Sequence, residues 1–107
     1  MNLPLEIEVD QLQALLASEA PPLVVDVREP WEQDICRLEP SELVPLDQIT
    51  RKMTAFPRER EIVLYCHHGI RSLQAAEFLR RNGFRVCSLR GGIAEWSRRV
   101  DPEMPTY

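Results

Sequence analysis

The chain has 107 residues, of which 44% are hydrophobic and 28% are charged. This is enough for one globular domain with a single hydrophobic core and too little for a second. The formal net charge is −4 and the basic residues are scattered, so neither nucleic acid nor an anionic membrane is an expected partner. No apolar segment is long enough to predict a membrane span, and the first six residues lack the pattern of a secretory signal, which favours a cytoplasmic protein.

Apolar runs and helical patterns alternate along the chain. Short apolar or β-branched runs predict strands at 6–9, 23–27, 41–45, 62–65 and 85–89. Helices are predicted between them and after the last one, each with an apolar face at three- and four-residue spacing. Their expected starts are at Asp10, Pro30, Asp47, Ser72 and the pair Gly91 and Gly92.

This alternation predicts an α/β fold, in which a five-stranded, mostly parallel sheet has helices on both faces. Ligands of such sheets bind beyond the carboxyl ends of the strands, where the sequence places Cys66, Arg28 and Arg90. A core of about 7–100 is expected within one domain, 1–107. The segment 101–107 contains two prolines and is predicted to be a loose C-terminal tail.

The chain has three cysteines, which form no Cys-x-x-Cys pair and leave one unpaired. This argues against a disulfide framework and favours a reducing compartment. Cys87 lies in an apolar run and is expected in the core. Cys36 is expected to be half exposed, and a role as a resolving thiol stays open for it beside a structural role.

The stretch between the fourth strand and its helix carries the chemistry. A cysteine at the end of a parallel strand, followed by a tight loop into a helix, lies where backbone N–H groups and the helix dipole converge on an anion. A thiol attacks as its thiolate, which helix N-termini and cationic neighbours favour. The sequence therefore predicts a thiolate nucleophile within Cys66, His67, His68, Gly69, Ile70, Arg71 and Ser72.

Each residue of this loop also has a plainer interpretation. A single cysteine at a strand end is commonly a small buried hydrophobe, but Gly69, Arg71 and the following helix favour the nucleophile. The two histidines of the chain, His67 and His68, either line the mouth of a pocket or face solvent. Two adjacent histidines and one thiol do not make a closed tetrahedral set, so neither a metal nor another cofactor is predicted.

Three motifs together resemble a known family. The loop 66–72, the upstream Asp-Val-Arg-Glu-Pro-Trp-Glu at 26–32 and the downstream Leu-Arg-Gly-Gly-Ile-Ala-Glu-Trp at 89–96 look like those of a single-domain rhodanese, a rhodanese-like sulfurtransferase. They occur in the family's order and spacing, and the resemblance covers about 7–100. It implies a rhodanese-like domain, and it favours a structural role for Asp26 as a buried carboxylate bonded to loop amides.

The resemblance also implies an activity. Cys66 would take a sulfane sulfur from a small anionic donor, thiosulfate or a persulfide, and hold it as a persulfide. A thiol, cyanide or a sulfur-carrier protein would then accept it. Arg71 would bind the anionic end of the donor, and the remaining donor-binding set would be His67, His68, Gly69, Ile70, Ser72 and Arg28.

The chain departs from the family pattern at 36–41, where many members carry Gly-His-Ile-Pro-Gly-Ala. The catalytic loop also lacks the Cys-Gly-Ser-Gly pattern of mercaptopyruvate users, and its histidines and arginine favour an anionic donor.

Two other functions stay open. Phosphatases and arsenate reductases of the related fold place arginine six residues after the cysteine; here that position is Ser72, and the arginine comes one residue earlier, at Arg71. The shorter loop favours sulfur as the transferred group. Rhodanese-like domains also serve as inert interaction modules, commonly after loss of the cysteine, but Cys66 is present.

Overall fold

The computed structural model describes residues 3–107. Five strands form one sheet in the order β1-β5-β4-β2-β3, and each neighbouring pair is parallel, which confirms the predicted fold class. The central strand, β4, has a neighbour on each side and is fully buried. The strands are β1 (Glu6–Ile7), β2 (Leu23–Asp26), β3 (Glu42–Leu43), β4 (Ile62–Tyr65) and β5 (Val86–Leu89).

Helices cover both faces of the sheet, because successive strand side chains point to opposite sides. Val25 and Leu64 belong to one apolar cluster, which includes residues of α3 and α4. Val24 and Val63 belong to the other, which includes residues of α1 and α5. The helices are α1 (Val9–Leu16), α2 (Pro30–Ile35), α3 (Ile49–Lys52), α4 (Ile70–Arg81) and α5 (Gly92–Arg99).

Local boundaries differ from those predicted. Helix α1 is capped by Glu8, which forms a capping box with Gln11, so the first strand ends two residues earlier than expected. The helix predicted after Asp47 contains only one α-helical turn, between the 3-10 turns Leu46–Gln48 and Met53–Ala55.

Residues 101–107 were expected to form a loose tail, but this segment packs on the domain. Met104 and Tyr107 contact the apolar cluster on the side of α1 and α5. The segment therefore belongs to the folded unit, because it buries apolar surface and because Tyr107 makes the hydrogen bonds described below. Within residues 3–107, no helix is both long and apolar enough to cross a membrane.

Candidate active site

Cys66 lies at the carboxyl end of the central strand, in the loop that leads into α4. Gly69 is the residue before this helix and has a φ of 99°, a left-handed conformation that favours glycine. The loop thus turns sharply within three residues, as the sequence predicts, and directs the helix N-terminus at the cysteine. The Cys66 side chain is buried, with only 1% of the residue exposed.

Backbone amides converge on the sulfur of Cys66. The N–H groups of Gly69 and Ser72 lie 3.1 Å and 3.4 Å from Sγ, and the hydroxyl of Ser72 lies 3.4 Å from it. Ser72 Oγ is also 2.7 Å from Ser88 Oγ on β5, which fixes the serine side chain. Because N–H groups at a helix N-terminus stabilise negative charge, an anion at the position of this sulfur would find donors already directed at it.

The N-terminus of α5 holds the other side of the loop. Ile93 N–H donates to the carbonyl oxygen of Cys66 at 2.9 Å, and Ala94 N–H donates to that of His67 at 3.0 Å. Gly92 has a φ of +62°, and a Cβ there would overlap both carbonyl oxygens. The sequence analysis did not identify this role. The two consecutive glycines before the last helix could have indicated that the backbone approaches another segment closely there.

Arg71 forms a two-pronged ion pair with Glu32 of α2. Its Nη1 and Nη2 lie 2.7 Å and 2.9 Å from the two carboxylate oxygens. The Glu32 side chain is 4% exposed and that of Arg71 is 34% exposed. Burial by itself would raise the pKa of Glu32, but the hydrogen bonds from Arg71, the Glu29 amide and Tyr107 lower this pKa to about 2. Sequence reasoning did not identify Glu32 as a residue of this site.

Arg28 does not reach the mouth of the loop, contrary to its expected place in the donor-binding set. Its side chain is fully buried and pairs with Asp26 through Nε at 2.8 Å and Nη2 at 2.7 Å. Nη2 also donates to the carbonyl oxygen of Cys36 at 2.6 Å. Cys36 itself is only 8% exposed rather than half exposed, since it contacts Arg28 and belongs to the apolar cluster on the side of α1 and α5. The predicted burial of Asp26 is observed, and it accepts the Arg28 amide at 3.0 Å.

Tyr107 connects the two ion pairs. Its hydroxyl accepts a hydrogen bond from Arg28 Nη1 at 3.0 Å and donates one to Glu32 Oε1 at 2.7 Å. Burial raises the pKa of Tyr107 to about 12, so the hydroxyl keeps its proton near neutral pH. The tyrosine ring stacks on His67 with 3.9 Å between ring centroids. Nothing in the sequence pattern indicated this role.

The two histidines lie side by side at the edge of the loop. Their rings stack with 3.9 Å between centroids, and His68 is exposed whereas His67 is half-buried. Burial and the charge of His68 lower the pKa of His67, so its imidazole is neutral near neutral pH. Ile70, at the start of α4, is exposed. Of the predicted site residues, the loop 66–72 is therefore brought together, while Arg28 lies behind it.

Among residues 3–107, no three His, Cys, Asp or Glu side chains are grouped as a metal site. Cys87 is fully buried in the sheet, where burial raises the pKa of its thiol to about 12. Cys66 is thus the cysteine that the fold places at a helix N-terminus.

Comparison with known proteins identifies the family. The rhodanese-like domain family matches residues 8–99. A protein of Allochromatium vinosum named "Sulfurtransferase" is 37% identical, and the alignment covers 87% of this chain and 88% of that protein. A crystal structure of a rhodanese-related protein from Thermoplasma volcanium has a TM-score of 0.82 and 28% identity, covering 89% of this chain and 92% of the other.

Another relative is much longer than this chain. The Mycobacterium tuberculosis protein named "Probable adenylyltransferase/sulfurtransferase MoeZ" is 34% identical over 78% of this chain, which spans only 22% of that protein. The family match and the relative of similar length agree with the loop geometry described above. The chain therefore belongs to the rhodanese-like domain family of sulfurtransferases.

Proposed function

We propose that the protein transfers a sulfane sulfur through a persulfide on Cys66. The observation that carries this proposal is the convergence of the Gly69 and Ser72 amides on Cys66 Sγ at the N-terminus of α4. These donors support both the attacking thiolate and the persulfide anion that replaces it. The donor would be thiosulfate or a low-molecular-weight persulfide.

The proposed step balances in atoms and charge. The Cys66 thiolate attacks the outer sulfur of thiosulfate, an S–S bond to the enzyme forms, and the bond to the sulfonyl sulfur breaks. Sulfite leaves with the electron pair, and Cys66 keeps the terminal sulfur as a persulfide anion. A thiolate or cyanide then attacks that outer sulfur, so that a persulfide or thiocyanate leaves and the Cys66 thiolate is restored. A sulfur-carrier protein would react in the same way through a cysteine thiolate, which would then hold the sulfur as a persulfide.

The loop residues have separate roles in this proposal. The amides of Gly69 and Ser72 hold the sulfur anion, and Arg71 faces the anionic end of the donor. His67, His68 and Ile70 form the rim against which donor or acceptor rests, because these side chains lie at the half-buried or exposed edge of the loop. Arg28 was expected to contact the donor, but its burial favours support of the loop from behind through Asp26 and Tyr107. A cytoplasmic location stays a prediction from the sequence pattern, with which the cysteine usage agrees.

The experiment is a sulfur-transfer assay with thiosulfate as donor and cyanide as acceptor, which measures thiocyanate. We expect turnover by the native protein, no turnover by Cys66→Ser, and turnover within twofold of native by Cys87→Ala. The Cys87 variant removes a thiol that is fully buried in β5 and leaves the loop intact. Retained turnover in Cys66→Ser would refute the proposal. Hydrolysis of an aryl phosphate without sulfur transfer would instead favour the phosphatase.

A further inference from the structure

Building on the sulfur-transfer function proposed above, we propose that Glu32 determines the charge of the donor that the site accepts. By pairing with Arg71, Glu32 neutralises the guanidinium beside the catalytic loop, so that a donor with one negative charge is favoured over a dianion. Glu32 acts through Arg71 and is therefore a positioning residue.

The ion pair is held firmly by its neighbours. Both oxygens of Glu32 are bonded to Arg71, at 2.7 Å and 2.9 Å. Oε2 also accepts the Glu29 amide at 2.9 Å, and Oε1 accepts the Tyr107 hydroxyl at 2.7 Å. With four hydrogen bonds and a side chain that is 4% exposed, the carboxylate has little freedom to release the arginine when a donor arrives.

The other charged residues around Arg71 also make the site less favourable for a dianion. A cavity of about 340 Å³ beside Arg71 is lined by Val27, Glu29, Leu46, Asp47 and Arg71. Glu29 and Asp47 are exposed residues at this cavity, so it carries two acidic residues beside the guanidinium that Glu32 pairs. Arg28 adds no free positive charge, because it is paired with Asp26. His67 adds none either, because its pKa is lowered.

A dianion is penalised more than a monoanion in such a field, because the Coulomb energy scales with the charge of the donor. Thiosulfate and methanethiosulfonate are a matched pair of probes for this effect. Each carries a sulfane sulfur on a sulfonyl group and leaves a persulfide on the attacking thiolate, with sulfite or methanesulfinate as the leaving group. They differ by one negative charge, since a methyl group replaces one oxygen of thiosulfate.

The experiment measures the second-order rate constants for sulfur loading of Cys66 by the two donors, using the mass of the Cys66 peptide. The readout is the ratio of the thiosulfate constant to the methanethiosulfonate constant. In Glu32→Gln, Arg71 is freed, and we expect this ratio to rise about tenfold. Asp34→Asn removes the same formal charge from an exposed position of α2, and we expect its ratio to stay within about twofold of native.

Two further variants remove the cation of the pair, first alone and then together with the carboxylate. Arg71→Gln leaves Glu32 without its cation, so the ratio should fall about tenfold below the native value. In the double variant Glu32→Gln with Arg71→Gln, the pair is neutral again, and the ratio should return to within about threefold of native. A variant that is merely less well folded would load more slowly from both donors and leave the ratio unchanged.

The outcomes separate this inference from the proposed function. If neither donor loads Cys66 of the native protein, the sulfur-transfer function fails. If both donors load Cys66 but Glu32→Gln and Arg71→Gln keep the native ratio, the inference about Glu32 is overturned. A raised ratio in Glu32→Gln that persists in the double variant would also overturn it, because the effect would then not act through Arg71.

Discussion

The amide of Ile93 donates a hydrogen bond to the carbonyl oxygen of Cys66 over 2.9 Å, and this contact joins the last helix to the loop 66–72. Together with the bond from Ala94 to His67, it turns two carbonyl oxygens of the loop towards α5. Amides on the other side of the loop are then free to face the sulfur. The loop is therefore held by two helix N-termini, those of α4 and α5.

The first prediction concerns Gly92. Gly92→Ala should lower kcat/KM for sulfur transfer by more than about tenfold, because the added Cβ would displace the carbonyl oxygens of Cys66 and His67. A second effect is a loss of about 1 kcal/mol in unfolding free energy from the left-handed conformation. Steady-state assays and urea unfolding measure these two effects.

Gly83→Ala is the matched control for this change. Gly83 also has a positive φ, of +91°, but a Cβ there would meet only the side chain of Arg58. Gly83→Ala should lose about 1 kcal/mol of stability, from the left-handed conformation alone, and keep its activity, whereas Gly92→Ala should lose more because its Cβ also displaces backbone. Equal activity in the two alanine variants would contradict the role assigned to Gly92.

Ser72→Ala should slow sulfur loading of Cys66 by about three- to tenfold. The change removes the hydroxyl, whose oxygen accepts from the Cys66 thiol at 3.4 Å and which would donate to the thiolate, but it keeps the Ser72 amide. Ser88→Ala keeps the Ser72 hydroxyl but removes the contact that fixes it, so its loading rate should lie between those of Ser72→Ala and the native protein. Loading rates measured by peptide mass test this, and a Ser72→Ala rate equal to native would show that the hydroxyl has no part in the reaction.

Tyr107→Phe should destabilise the protein by about 1–3 kcal/mol, although phenylalanine retains the stacking on His67. The hydroxyl is an acceptor for the buried Arg28 and a donor to Glu32, so its removal leaves both groups short of a partner. Urea unfolding of the native protein and the variant measures the difference. A change below about 0.3 kcal/mol would mean that residues 101–107 are as loose in solution as the sequence predicted.

The Glu32 carboxylate should make the unfolding free energy depend on pH in the acid range. Its pKa is lowered from an ordinary 4.5 to about 2, so its stabilising contribution is complete above pH 4.5 and is lost as the pH falls towards 2. The loss should reach about 3 kcal/mol at most, since the side chain is nearly buried. Unfolding free energies of native protein and Glu32→Gln across this range measure it, and parallel curves for the two proteins would contradict the prediction.

The conformation of the loop 66–72 and the sheet could be predicted from the sequence because their signals are local. The strand Ile62–Tyr65, the loop and the helical pattern are contiguous, so periodicity and the position of Gly69 suffice to order them. The family motifs then add the chemistry of Cys66.

The partners of the loop could not be predicted in the same way. Arg71 and Glu32 are 39 positions apart, and Arg28 and Tyr107 are 79 positions apart. Their pairing depends on how α2 and residues 101–107 pack against the ends of the strands, which no local pattern specifies. Arg28 was misplaced for this reason: its position after β2 was predicted, but not the buried acceptors that turn its guanidinium inward.

The central claim is a persulfide on Cys66, and the most direct measurement is the mass of the reduced protein after brief incubation with thiosulfate, followed by peptide mapping. We predict one added sulfur atom on the peptide that contains Cys66, removed by cyanide or a thiol and absent from Cys66→Ser. A persulfide donor is tested in parallel, because the proposal allows either donor. No added sulfur from either donor, or sulfur found only on Cys36 or Cys87, would contradict the claim.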